Sequence, residues 1–162
     1  MPDLVTHLAT GYVGAIPFRR RATLRLVFLT GVLLPDLLTR PFYILWPATF
    51  EFVRPLHTPL TYAVACWLIT QLFADRESRS AVLTGLLAGG LLHFAADALQ
   101  RQFLKPYLWL FPVCRCETRW GLFSTEASID ALPVTATIAV AICAAVAVHD
   151  RRLAAKSHVR QV

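Results

Sequence analysis

The apolar run at 81–99, AVLTGLLAGGLLHFAADAL, constrains the chain more than any other feature. At about 1.5 Å per residue it reaches ~28 Å as a helix, close to the ~30 Å hydrocarbon core of a bilayer. His93 and Asp97 interrupt it. A spacing of four places both side chains on one helix face, a turn apart. An ionisable side chain costs about 3 kcal/mol near the bilayer centre, so two on one face call for a compensating partner. The pair offers a nitrogen and an oxygen donor, a combination suited to zinc or a comparable divalent ion. The alternative is a buried histidine bonded to a backbone carbonyl, with Asp97 paired to Arg101 one turn later.

The rest of the sequence agrees with a lipid environment. Its 162 residues allow one compact domain, yet 56% are hydrophobic and only 16% charged. A mean hydropathy of +0.54 fits a small polytopic membrane protein rather than a soluble globule. The net charge of +6 does not argue for nucleic acid, because the basic residues cluster in short segments between apolar runs. Helices are predicted over 4–18, 24–38, 58–74, 81–99 and 131–148. The first, ~22 Å long, is marginal as a full span. Pro35 marks a kink or early end in the second. The aromatic stretch 41–52 reads as an interfacial loop or half-helix, and 100–130 as a longer polar and aromatic connection. The expected fold is an all-α integral membrane bundle of four to five transmembrane helices, with metal ligands converging near one membrane face. Residues 1–150 form its single domain, and 151–162 a frayed basic cytoplasmic tail. Cys66 and Cys143 lie in apolar runs; Cys114 and Cys116 stand too close for an ordinary bridge, and their role is open. Trp46, Tyr107, Trp109 and Trp120 resemble an aromatic belt at the outer interface, or the lining of a lipid groove.

Charge orients these segments. Residues 19–25, 75–80 and 149–162 hold 10 of the 16 Lys and Arg but 3 of the 10 Asp and Glu. The positive-inside tendency makes this set cytoplasmic, with the C-terminus inside. His7, Asp36, His57, His93, Asp97, Glu126 and Asp130 then fall at similar depth near the outer face. His7, Asp36, His57, His93 and Asp97 are the candidate metal ligands. Pro35 can aim Asp36 inward, and His57 stands at a helix start where Thr58 is the better N-cap. Glu126 is the candidate catalytic residue, a base for a metal-activated water. It and Asp130 are equally explained as carboxylates at the start of a helix dipole.

Taken together, these residues resemble the bacterial membrane-bound metal-dependent hydrolases (YdjM-like inner-membrane proteins). His7 with Gly11, the Leu34-Pro35-Asp36 element, His57 in HTPL, and Gly90, His93 and Asp97 leading to WLFP at 109–112 carry the likeness, in the family's order. Two places differ: Asp36 is followed by Leu37, Leu38 and Thr39 rather than x-Asp-His, and Phe52 stands where the family often has a second histidine. The His-x-x-x-Asp element is also similar to that of zinc-dependent phospholipases C. The resemblance implies an integral-membrane hydrolase of the bacterial inner membrane, acting on a phosphoester or lipid-like substrate at the extracytoplasmic face. Its cofactor would be one or two divalent ions, zinc foremost, with manganese and iron as the other candidates. Its partners would be membrane lipids and not nucleic acid. A non-catalytic protein with a structural metal, or a small transporter, are the alternatives.

Overall fold

The computed structural model describes residues 4–101, 106–117 and 121–159, so Trp120 lies outside the described residues. The described secondary structure is helical. Helix α1 (Leu4–Gly14) is followed by a 3-10 turn and α2 (Ala22–Leu37). Two short helices, α3 (Arg40–Leu45) and α4 (Phe50–Val53), alternate with 3-10 turns along the predicted interfacial stretch. Helices α5 (Pro59–Thr70) and α6 (Arg76–Leu99) come next, then α7 (Thr125–Asp130) and α8 (Leu132–Val159). Three segments are long and apolar enough to cross a membrane: Ala22–Leu45, Arg76–Leu99 and Leu132–Arg152. The tail expected to fray continues α8 as far as Val159.

Local chemistry sets the helix ends. The Asp75 carboxylate accepts from the Ser78 backbone N–H at 2.6 Å, so α6 begins at Arg76 rather than at the first apolar residue. That backbone hydrogen bond holds the Asp75 carboxyl below its usual range. Pro59 opens α5, where a missing N–H leaves nothing unsatisfied. Ser124 caps α7 by accepting from the Ala127 N–H at 3.1 Å. Pro35 does not end α2, which runs on to Leu37. A proline cannot donate to the carbonyl four residues earlier, here Gly31. The Tyr62 hydroxyl supplies the missing donor, 3.0 Å from the Gly31 carbonyl and 2.8 Å from that of Leu86.

Helices α2 and α6 form the central pair; α5 packs on α6, α1 lies against both central helices, and α8 lies on α1. The close approach of α2 and α6 needs glycine. A Cβ on Gly89 would meet the Phe28 carbonyl and stand 2.7 Å from the Val32 nitrogen, and one on Gly31 would meet the Leu86 backbone. Tyr62, Cys66, Leu86 and Phe94 form one apolar core cluster, and Ala15, Phe28 and Val32 another.

The burial pattern differs from a soluble globule's in the polar groups that share the interior with these clusters and in the apolar groups left outside. The most completely buried side chains include His7, His93, Thr39, Thr58, Asp36 and Asp97. Leu72, Phe52 and Leu91 are 85%, 83% and 71% exposed. Polar groups inside and large apolar groups outside suit a protein whose surroundings are lipid.

Candidate metal centre

The ends of α1, α2 and α6 and the turn before α5 bring five of the six sequence-predicted site residues together. His7, Asp36, His93 and Asp97 are each at most 1% exposed, and His57 is 4% exposed. His7, Asp36 and His93 form one group whose ligand atoms lie within 4.8 Å of one another, and His57, His93 and Asp97 form a second. Either group can hold a metal ion. Glu126 lies exposed on α7, and no described contact joins it to the cluster. The carboxylate that stands beside His7 and His93 is Asp36.

Helix ends fix the imidazoles. The Nδ1–H of His93 donates to the Val32 carbonyl at 2.8 Å, across the α2–α6 seam. The last turn of α2 leaves the Pro35 carbonyl without a backbone donor, because the Thr39 N–H turns to Asp36 instead. The Thr39 hydroxyl donates to that carbonyl at 3.0 Å, and His57 Nδ1 stands 3.3 Å from it and 3.4 Å from the Thr39 oxygen. With both Nδ1 atoms turned to backbone oxygens, the Nε2 atoms are left to face the cluster. His57 Nε2 lies 2.8 Å from Asp97 Oδ2 and 3.3 Å from His93 Nε2, and His93 Nε2 lies 3.4 Å from the same carboxylate oxygen. His7 stacks on His93 with ring centroids 4.0 Å apart, and its Nε2 is 3.3 Å from Asp97 Oδ1. Neither His7 nitrogen makes a hydrogen bond among the described residues, nor does Asp97 Oδ1 or Asp36 Oδ1.

The alternative sequence reading is half right. His93 does bond a backbone carbonyl, but Asp97 faces three histidines, while the Arg101 guanidinium donates to the Gly121 carbonyl at 3.1 Å. Arg40 Nη2 pairs with Asp36 Oδ2 at 2.7 Å.

Several contributors carry no chemical signal in the sequence. Thr39 acts through the carbonyl that the end of α2 exposes. Tyr107 stacks on His57 at 5.7 Å and leans on Trp109 at 4.8 Å, while Trp109 meets Phe94 edge-on. These two aromatics roof the cluster, whereas Trp46 is exposed as a belt residue would be. Cys114 and Cys116 are joined in a disulfide, against the expectation from their spacing. Their Cα atoms stand 5.2 Å apart, within the range a bridge spans.

No family model, curated protein or solved structure matches the chain.

Proposed function

We propose that this chain is an integral-membrane hydrolase, of the membrane-bound metal-dependent kind its motifs resemble, using one divalent ion against a phosphoester or lipid-like substrate. A convergence of acceptors carries the reading. Two imidazole nitrogens 3.3 Å apart, with a carboxylate oxygen at 2.8 and 3.4 Å, need a proton or a metal cation among them, and a divalent ion meets all three donors at once. Donors bound to one zinc ion at ~2.1 Å in a tetrahedron stand ~3.4 Å apart, close to two of the three separations among His57, His93 and Asp97, 3.3 and 3.4 Å. His93 belongs to both groups, and one lone pair serves one ion, which favours a single ion over two.

His57, His93 and Asp97 would hold the ion, three protein ligands being the number that leaves a catalytic site an open position. When bound, a divalent ion supplies Lewis acidity, which lowers the pKa of water and offsets charge building on a phosphoester oxygen. Asp36 accepts the proton of the attacking water through Oδ1, in the role expected of Glu126. Arg40 holds Asp36 in place through Oδ2. His7 supports a second reading. As a fourth donor beside Asp97 it would close the site, and the ion would then tie helices together without catalysis.

We place the protein in the bacterial inner membrane with four to five crossings, α1 and α5 joining the three long spans, and with the C-terminus cytoplasmic. The charge distribution supports this.

The test is metal analysis of detergent-purified protein, alongside hydrolysis of bis(p-nitrophenyl) phosphate. One divalent ion per chain is expected, lost in a His93→Ala/Asp97→Ala variant. Asp36→Asn is expected to keep the ion and lose roughly 10²-fold or more in turnover. Protein without stoichiometric metal, or a double variant that keeps it, overturns the proposal. Metal retained without hydrolysis selects the structural reading.

A further inference from the structure

Helices α2 and α6 run in the same direction, with Gly85 beside Val27 and His93 beside Val32, so both begin at the end of the molecule remote from the metal cluster. At that end a groove of about 350 Å³ lies between the first half of α6, the start of α2 and the 3-10 turn Ile16–Phe18. Its volume falls within the ~300–1,000 Å³ of small-molecule sites. From Glu77 to Ala88, at about 1.5 Å per residue, it is ~16 Å long, close to half of a ~30 Å hydrocarbon core.

Polarity falls along this length. Glu77 and Ser80 line the mouth at the start of α6, Thr84 the middle and Ala88 the far end, while Phe18 and Leu24 line the facing wall. A slot one leaflet deep, polar at its mouth and apolar within, matches a lipid chain that enters beneath its headgroup. Charge decides which lipid. Phe18 runs directly into Arg19, Arg20 and Arg21, and Arg76 precedes Glu77; all four arginines are exposed. Arg19 is committed to Asp150, at 2.7 and 3.2 Å. No ion pair among the described residues takes Arg21 or Arg76. Arg76 stands one helical turn before Ser80, and Arg21 caps α2 just ahead of Leu24, so each wall of the groove ends on an arginine.

We propose that this groove binds one phosphatidylglycerol, an anionic phospholipid, with an acyl chain between the helices and its headgroup at the arginines. Arg21 and Arg76 meet the phosphate, and Glu77 accepts a hydrogen bond from a hydroxyl of the headgroup. A choline headgroup has no donor for that carboxylate, and its positive charge offsets the pull of the arginines. Ethanolamine has a donor but carries the same offsetting charge. On the proposed topology the lipid belongs to the cytoplasmic leaflet. The site needs a membrane around the chain and does not require the metal chemistry.

The experiment titrates dioleoyl phosphatidylglycerol onto the full chain in detergent, with the dioleoyl phosphatidylethanolamine and phosphatidylcholine in parallel, and counts bound molecules by native mass spectrometry. One phosphatidylglycerol per chain is expected, bound roughly tenfold more tightly than either zwitterionic lipid. Arg21→Gln/Arg76→Gln is expected to erase that preference. Thr84→Trp, which fills the groove from an exposed position, is expected to abolish the tight binding. Circular dichroism and size exclusion establish that the variants fold; if one does not, the other decides together with the lipid comparison. Equal binding of the three lipids by the native chain overturns the proposal, as does a preference unchanged in the arginine variant. A preference unchanged in Thr84→Trp overturns it too, since surface charge alone would then hold the lipid. Metal content is measured on the same samples, so loss of the lipid site with metal retained is told apart from failure of the metal reading.

Discussion

Two backbone carbonyls on α2 decide what His93 and His57 offer to the cluster, since Val32 and Pro35 each turn one ring nitrogen away from it. Thr39 shares the second of these contacts, and its place beside His57 depends on α2 ending where it does. Removing its hydroxyl should loosen the His57 ring without touching a proposed ligand. Thr39→Val is therefore expected to weaken metal binding about 10-fold to 100-fold, the usual effect of losing an outer partner of a ligand. Competition with a chromophoric chelator measures this, and unchanged affinity would show that Pro35 alone orients the ring. The contrast between these residues marks what a sequence can disclose. His93 and Asp97 were legible because a four-residue spacing inside an apolar run is a local pattern. Thr39, Tyr107 and Arg40 were not, because each reaches the site through a helix end or a loop return that no local pattern specifies. Glu126 illustrates the converse, a carboxylate at a plausible depth that the chain leaves exposed on a different helix.

Among the elements, the seam between α2 and α6 carries the greatest consequence, since it brings Val32 to His93 and Asp36 to the same cluster. Gly89 lies in that seam against backbone atoms of Phe28 and Val32, which cannot rotate away. Gly89→Ala is expected to cost about 1–3 kcal/mol or more by overpacking, and to lower metal retention as well. Gly85→Ala should be milder, because its Cβ would meet the Val27 side chain at 2.7 Å, and a side chain can adjust. Thermal melts followed by circular dichroism compare the two, and equal losses would count against a backbone clash. The long helices were legible from apolar runs, though their starts were not. Asp75 begins α6 at Arg76 by accepting a backbone hydrogen bond, a polar event that hydrophobic periodicity does not register. Helix α7 escaped notice for the same reason, being six residues long and dependent on the Ser124 cap.

At the scale of the whole molecule, the interior holds a polar cluster beside its apolar cores while large apolar side chains cover the surface, with only 6% of the α8 window buried. Such a surface suits lipid, and on the proposed topology the basic segments mark the cytoplasmic side. A green fluorescent protein fused to the C-terminus is expected to fluoresce, and alkaline phosphatase fused there to stay inactive; the opposite pair of results would invert the orientation. The aromatic roof over the cluster has a consequence of another kind. Trp109 packs among Tyr107 and Phe94, while Tyr107 lies flat on His57. Its indole is one ring removed from His57, a proposed metal ligand, in a setting without a hydrogen bond to the indole nitrogen among the described residues. That position gives the protein an intrinsic optical gauge: a paramagnetic ion such as cobalt, entering the cluster, quenches the emission of this indole more than that of the exposed Trp46.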